Sequence, residues 1–499
     1  MKNTWFIALI MLIAVLAVKT SNAQDSTFKL SDYKNPNYLY QRLDLNFGLN
    51  NGLSHFSTRS ISSTSYSFNS GAGAGYSRYK NSPKIQAEKH ILFGAGVSSS
   101  TNTQNSDDES YSPNSQETNK KSLNHFENLD ISALARFYNG KKQYFEVGGT
   151  IIGTNTGISE FYKYLGNDTI HEQNKKTDNQ LILNISGDFL VGTGRIEQVQ
   201  DARLAMYILD DLQKLNREKR LASSEDVIAL AREITLLKYK RFFDNRLRKI
   251  AEITAIDSFL QKNGIAGATD ATYFTSITDN WAYANNPIRY SGRRIYTGIE
   301  ANYGYNYHFS KHEDIVPANG SYEQKFKYTN TGFFLVGGVA YEKPVSLKWQ
   351  NSANARIGVG IKQQLTDIQS YNLEEKRTSY VGSIPSLILS ADYGFGYYPN
   401  SRTWLTVKWW LMSGWDKQLT GDTRENKKDF VNSLKASTGP QVNAYFYLSE
   451  KLRLSLVFMG EFNVYNDKFT SEVPEGYSEL STSTWWHHQL NAALTYSLF

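Results

Sequence analysis

The sequence has 499 residues, no cysteine, and 54 Lys and Arg against 48 Asp and Glu, which gives a formal net charge of +6. The lack of cysteine excludes a disulfide framework, and so small a positive excess over this length gives no indication of nucleic-acid binding. A mean hydropathy of −0.49 combined with 33 Tyr, 26 Phe, 35 Gly and only 10 Pro is typical of strands that are apolar at alternate residues.

The first 23 residues have the features of a secretory signal peptide. A short start carrying Lys2 precedes an apolar run over 5–18, and Ser21-Asn22-Ala23 has the small-x-small pattern of a cleavage site. Gln24 stands where a lipoprotein would have cysteine. After Ala23 no stretch of about 18 uncharged apolar residues remains, so no transmembrane helix is expected. An exported chain also argues against a nucleic-acid partner.

The mature chain is dominated by segments that alternate apolar and polar residues. The segment 353–361 is among the cleanest, and 490–499 alternates in the same way and ends on Phe499. Six such segments fall in 24–192 and eight in 291–499. The sequence therefore predicts an all-β transmembrane barrel of about 14 antiparallel strands, an even number, closed by the last strand.

The connections between these segments sort into two kinds. Polar tracts such as 98–124, 154–179 and 363–378 are long, whereas 139–142, 342–344 and 398–402 are short. Barrels of this class have short periplasmic turns and longer outer loops. Counting back from a periplasmic C-terminus places every long tract outside and every short turn in the periplasm.

The apolar period changes from two to about 3.6 within 193–290. Three helices are predicted up to residue 263, with a capping box at Ser223–Asp226 and a terminating Gly264. The stretch from 264 to about 286 shows no clean period. The strand count places this helical insertion in the periplasm, and its length indicates a plug, a gate or a docking module.

The signal peptide, the alternating strands and the terminal Phe499 resemble those of bacterial outer-membrane β-barrel proteins. The chain looks like a porin-like member with a helical insertion. This resemblance implies an outer-membrane location, contact with outer-membrane lipid and with the assembly machinery of that membrane, and no cofactor. It carries no substrate and no catalytic residue.

Charged residues of both signs recur on the predicted inward side of the strands. They are candidates for lining the lumen, where they would set the selectivity of a pore, or would instead form structural ion pairs that fill it. These candidates are Arg42, Asp44, Asp130, Arg136, Glu146, Asp188, Glu300, Arg356, Lys362, Asp392, Lys408, Arg453 and Glu461.

A second group of candidates is basic and lies in the insertion. These residues would dock an acidic periplasmic protein partner or the barrel mouth, or would form a solvated helix face. They are Lys238, Lys240, Arg241, Arg246, Arg248 and Lys249.

The predicted function is a passive or gated channel for small solutes with a periplasmic helical plug or docking module. The alternative is a non-conducting surface or assembly protein that binds a protein partner through its loops or insertion. An outer-membrane enzyme using Ser483 and His487 is the third hypothesis, and no enzymatic activity is predicted. No metal site is predicted, because His487 and His488 are adjacent in a strand and point to opposite faces.

Overall fold

The computed structural model describes residues 28–57, 61–108, 114–166, 169–238, 249–283, 288–316, 320–370, 376–420, 429–449, 452–471 and 478–496. The predicted signal peptide and Phe499 lie outside these residues. No helix within this part of the chain is long and apolar enough to cross a membrane.

Fourteen strands form one antiparallel sheet in which every strand pairs with the next in sequence. The predicted class and strand count are confirmed. The strands are β1 (Tyr38–Ser57), β2 (Ile61–Asn81), β3 (Ile85–Asp108), β4 (Asn114–Tyr138), β5 (Gln143–Gly166), β6 (Thr169–Gln198), β7 (Tyr290–Val316), β8 (Gly320–Pro344), β9 (Trp349–Ser370), β10 (Lys376–Tyr397), β11 (Thr403–Thr420), β12 (Asp429–Tyr447), β13 (Leu452–Ser471) and β14 (Ser478–Tyr496).

The strands are longer than a bilayer requires. They contain 18 to 30 residues, whereas about 9–11 are enough to cross a membrane. The tracts 98–124, 154–179 and 363–378, predicted as loops, are mostly paired strand, so that prediction was wrong. The alternation of apolar and polar residues identifies only the part of a strand that has an apolar environment on one face. A strand that continues into water needs no apolar face, so its sequence looks like that of a polar loop.

The short connections lie together at one end of the sheet, which we call the turn end. They span residues 82–84, 139–142, 345–348 and 398–402, and a fifth begins at residue 448 after β12. Asn139 shows why such a turn is tight, because its side chain accepts hydrogen bonds from the backbone N–H groups of Lys141 and Gln143, both at 3.0 Å.

The sheet is open along its two edges. Among the described residues no backbone pairing joins β1 to β14, so the closing pair predicted from 490–499 is not formed in this structure. Both edge strands are exposed over most of their length, with Phe47 75% and Leu490 68% accessible.

Four helices lie between β6 and β7 in the described parts of that segment, 199–238 and 249–283. They are α1 (Gln200–Lys214), α2 (Ser224–Lys238), α3 (Lys249–Lys262) and α4 (Ala271–Ala282). The main buried core of the described chain lies among them, and includes Ile208, Leu230, Ile256 and Trp281. We call the segment from Val199 to Arg289 the cap.

The predicted helix signals are present. Ser223 Oγ accepts from the Asp226 N–H at 3.3 Å, while Asp226 Oδ2 accepts from the Ser223 N–H at 2.7 Å, so the capping box forms. Its carboxylate also accepts from Arg220, and these bonds lower the pKa of Asp226 to about 2. Gly264 has a φ of +64° and follows α3, as predicted.

The stretch without a clean period is α4. Its N-cap is Asp270, whose carboxylate accepts from the Tyr273 N–H at 3.0 Å. Tyr273, Ile277 and Trp281 follow one another at i+4 spacing and are all buried, which is the signal that the sequence contained for this helix.

Residues 28–35, which precede β1, pack against the helices of the cap. Phe28, Leu30 and Tyr33 are buried among the helices, and Asn35 Nδ2 donates to the Gln198 carbonyl at 2.7 Å. We call this segment the strap. Only three of its residues are apolar, which is too few to show a period in the sequence.

Candidate functional site

The strand register divides the side chains of the sheet into two faces. Directly paired residues share a face, and the pairs Arg136 with Glu146 and Asp188 with Glu300 connect four of the lumen candidates. Following the register across the other strands places all thirteen lumen candidates on this one face. We call it the polar face.

The opposite face is apolar and exposed. Phe47 on β1, Phe145 on β5, Phe333 on β8 and Leu490 on β14 are all more than 40% accessible. A continuous apolar surface over fourteen strands far exceeds the patches that a water-soluble monomer exposes. The fold is that of the outer-membrane β-barrels.

Nine of the thirteen candidates form ion pairs on the polar face. Arg136 pairs with Glu146, and Arg356 pairs with Glu300. The remaining pairs are Arg42 Nε–Asp44 Oδ2 at 2.8 Å, Lys362 Nζ–Asp416 Oδ1 at 2.8 Å and Lys408 Nζ–Asp392 Oδ2 at 3.2 Å. Most of the candidate charges therefore take part in ion pairs, as the structural alternative expects, and all of them lie on the polar face.

The remaining four candidates have no ion pair among the described residues. Asp188 has one carboxylate oxygen that is buried and accepts no hydrogen bond within this part of the chain. Arg453 lies over the Tyr445 ring at 5.4 Å. Asp130 and Glu461 lie on the polar face without a charged partner within the described chain.

A cavity of about 260 Å³ lies against the polar face. Six charged residues of both signs line it, and Arg294 on β7 is the one that was not predicted from the sequence. These residues are Arg136, Glu146, Asp188, Arg294, Glu300 and Arg356. Because three positive and three negative groups balance, the cavity favours neither cations nor anions by net charge.

The docking candidates are placed differently from the prediction. Lys238 is buried, and its ammonium group donates to Asp201 Oδ1 at 2.7 Å. It cannot bind an acidic partner without losing this ion pair, so its assignment as a docking residue was wrong. Lys240, Arg241, Arg246 and Arg248 lie outside the described residues, and Lys249 begins α3.

The candidates for an enzyme and a metal site do not form one. Ser483 and His487 share a face of β14 but lie four residues apart along one strand, roughly 13 Å at about 3.3 Å per residue. His487 and His488 point to opposite faces, as predicted. Within the described ranges no group of three His, Cys, Asp or Glu residues is placed to hold a metal ion.

A two-stranded ribbon carries the cap away from the sheet. Residues 195–198 of β6 pair with 290–293 of β7, while β5 pairs with β6 only as far as Thr193 and β8 pairs with β7 only as far as Gly292. Gly194 and Gly292 have φ values of +97° and +133°, which side chains other than hydrogen rarely permit. These two glycines lie where the ribbon leaves the sheet.

We expect alanine at Gly194 or Gly292 to destabilise the protein by roughly 1–3 kcal/mol or more. A Cβ at Gly194 would collide with the Arg293 carbonyl, and one at Gly292 would collide with the Arg195 carbonyl. The measurement is the thermal unfolding temperature of the sheet in one fixed detergent, compared between the parent and the two variants. Gly140→Ala is the matched control, because a Cβ there meets nothing within 4 Å. Equal unfolding temperatures for all three variants would contradict the prediction.

The ribbon and the end of β6 contact the turn end on the β2–β5 side. Arg195, in the ribbon, donates to the carbonyls of Pro83 at 3.1 Å and Ser82 at 2.9 Å. The Gly194 N–H donates to the Lys142 carbonyl at 3.0 Å. The base of the ribbon, which carries the cap, is thus bonded to both turns on this side.

The cap also reaches the turns on the far side. Arg289 donates to the carbonyls of Leu347, Ser346 and Trp349 in and after the β8–β9 turn, at 2.5, 3.0 and 2.9 Å. In α1, Tyr207 donates its hydroxyl to the Tyr398 carbonyl at 3.1 Å.

Two further contacts complete the set. Arg402 Nη2 lies 3.0 Å from Asp279 Oδ2 on α4. The ring of Tyr283 lies edge-on to that of Tyr447 at the end of β12, with centroids 5.0 Å apart. The ribbon and cap together therefore contact all five neighbouring short connections or the strand ends beside them.

Arg289 is completely buried, with 0% of its surface accessible. Its guanidinium lies over the Tyr398 ring at 4.7 Å, and that of Arg203 lies over the same ring at 5.8 Å. Burial, and the nearby positive charge of Arg203, lower the pKa of Arg289 to about 10. Arg289 remains charged at neutral pH and depends on its carbonyl partners.

Comparison with known proteins adds little to this description. No family model matches the chain, and no curated protein matches it. Among solved structures, the translocator domain of the autotransporter NalP from Neisseria meningitidis is similar over 84% of this chain and 91% of its own, at 10% identity and a TM-score of 0.24. A TM-score this low does not establish a shared fold, so the fold assignment rests on the strand order and the two faces of the sheet.

Proposed function

We propose that the chain is a gated channel for small solutes in the bacterial outer membrane, and that the cap is its gate. The observation that supports this most directly is the set of contacts that join the ribbon and cap to four neighbouring turns and to the end of β12. Turns of this length face the periplasm in bacterial barrels. The cap would therefore cover the periplasmic mouth, and the apolar face would contact outer-membrane lipid.

The side chains of the polar face support a water-filled lumen rather than a tightly packed one. Its charged residues pair with one another across strands, and a cavity remains between them. A lumen lined in this way is wetted but carries little net charge, which favours small polar solutes over a particular ion. No step of this function requires a catalytic residue or a cofactor.

A channel requires the edges of the sheet to meet, and we propose that β1 and β14 pair when the barrel closes. The two strands are antiparallel in direction and have 20 and 19 residues. Each leaves one row of backbone hydrogen-bonding groups without a strand partner, which is costly inside a bilayer.

Engineered cysteines would detect this closure, because the chain has no cysteine of its own. We expect Phe47→Cys to form a disulfide in membranes with one of Leu490→Cys, Ala492→Cys or Leu494→Cys, since all four side chains lie on the apolar face. Asn46→Cys, on the polar face, is the matched control. Absence of any cross-link in the three pairs would contradict closure.

Planar-bilayer recordings test the channel itself. In the deletion variant a two-residue Asn-Gly turn replaces residues 199–289, which is feasible because Gln198 pairs directly with Tyr290. We expect low or intermittent conductance from the full chain and larger, steady conductance from the variant.

The control is a folded barrel in both samples, shown by a gel mobility that changes on heating. If neither folded protein conducts, the channel proposal fails and the non-conducting surface or assembly protein becomes the better hypothesis. Co-purification of a periplasmic protein with the full chain, but not with the deletion variant, would support that alternative.

A further inference from the structure

The strap packs in the hydrophobic core of the cap but does not come from the segment between β6 and β7. It continues directly into β1, which lies five strands away from β6 in the sheet. The cap is otherwise joined to the sheet covalently through the ribbon alone. The strap therefore ties the cap to a second, distant strand.

Three buried side chains hold the strap in place. Phe28 and Leu30 are 5% and 4% accessible, and Tyr33 is completely buried. All three pack in the same hydrophobic cluster as the helices of the cap. Lys29 and Ser31, between them, are exposed. The segment thus inserts one of its sides into the cap and leaves the other exposed, without adding a strand to the sheet.

A chain of polar groups continues from the strap into the cap. The hydroxyl groups of Tyr33 and Thr235 lie 3.0 Å apart. Thr235 has a single hydroxyl proton, and Asp201 Oδ2 and the Ala231 carbonyl are its acceptors, at 2.8 and 2.9 Å. Tyr33 is therefore the donor to Thr235. Asp201 is also the partner of Lys238, so the strap ends on the buried ion pair of the cap.

These contacts support a proposal about how the cap is held in place. Its expected effect on conductance rests on the gating function proposed above. We propose that the strap is the element that holds the cap shut over the turn end, and that withdrawal of residues 28–35 from the helical core lets the cap move away on the ribbon. Among the far-side contacts, Arg289 is buried but directly precedes Tyr290 of the ribbon, so it holds the cap at its base, whereas the outer contact on α4 is weak. Arg402 and Asp279 are 46% and 52% exposed, and such surface pairs contribute little.

Spin-label distances test this movement without reference to transport. Lys214→Cys on α1 and Lys141→Cys in the β4–β5 turn are exposed positions in a chain that has no other cysteine. The strap-release variant is Leu30→Ser with Tyr33→Ser. The matched control is Lys29→Ala with Ser31→Ala, which changes the exposed side of the same segment.

We expect one narrow distance in the parent and the control, and a broad, longer distribution in the strap-release variant. Adding a synthetic peptide of residues 25–37 should restore the narrow distance, whereas the same peptide with Leu30→Ser and Tyr33→Ser should not. Tyr33→Phe, which keeps the ring and loses only the hydroxyl group, should give a smaller change. A distance that stays narrow after strap release overturns the proposal.

Conductance of the same variants separates this proposal from the gating function. If strap release broadens the distance and raises conductance to that of the cap deletion, both are supported. If strap release broadens the distance, the strap peptide reverses it, and neither variant conducts, the strap still holds the cap and the channel function fails. If the cap deletion conducts and the strap-release variant stays closed, the strap is overturned as the closing element.

Discussion

Arg289→Met is expected to loosen the cap from the β8–β9 turn and to destabilise it by roughly 3 kcal/mol. Methionine has a similar length, but it leaves the carbonyls of Ser346, Leu347 and Trp349 without their common donor. Hydrogen exchange of the α1 and α4 amides measures the effect, and we expect faster exchange there with little change in the central strands.

Arg289→Lys and Arg217→Met are the controls for this prediction. Lysine keeps the charge but cannot reproduce the planar fork that reaches three carbonyls and Gln350, so an intermediate effect is expected. Arg217 pairs with Asp270 on the exposed surface of the cap, and its loss should leave exchange almost unchanged. Equal exchange in Arg289→Met and Arg217→Met would show that the cap does not depend on Arg289.

The ion pair between Lys238 and Asp201 is expected to give the second large effect. Their side chains are 6% and 1% exposed, so Lys238→Met would leave a buried carboxylate without its cation. Such a change costs about 3–5 kcal/mol. Asp201→Leu should cost a similar amount, because it leaves the ammonium group buried.

The double variant distinguishes a charge effect from a packing effect. Replacing both residues with apolar ones removes both buried charges, so Asp201→Leu with Lys238→Met should be far more stable than the sum of the single changes predicts. Thermal unfolding of the helices, followed by circular dichroism at 222 nm, is the measurement. The exposed pair of Lys214 with Asp210 is the control cycle, for which less than about 1 kcal/mol is expected. Additive effects at Asp201 and Lys238 would contradict the prediction.

The features predictable from the sequence are those set by a local period. Alternation over 353–361 predicts a strand with one polar face, and the register places Arg356 on that face, as expected. The capping box at Ser223 and the left-handed Gly264 are equally local, since each needs only a few consecutive residues. Both were therefore predictable without knowledge of the fold.

The features that the sequence did not reveal depend on contacts between distant residues. Arg289 is one arginine among many until the β8–β9 turn surrounds it. Lys238 looks like a member of a basic run, and its burial follows only from Asp201, 37 positions earlier. Gly194 and Gly292 are nearly 100 residues apart in sequence, yet each lies against the backbone beside the other. The local pattern of one sequence carries no information on contacts between residues so far apart.

The cap buries its apolar residues and the sheet exposes them, so the two parts of the molecule are stable in different solvents. In the cap, apolar side chains such as Ile208 and Ile256 are shielded by protein, whereas in the sheet Phe145 and Phe333 are exposed. The helices therefore keep their core in water, and the sheet depends on lipid or detergent for the same stabilisation. Heat or denaturant would act on the two parts separately, so no single melting temperature or unfolding free energy describes the whole chain. Its stability has to be stated for each part together with the amphiphile present.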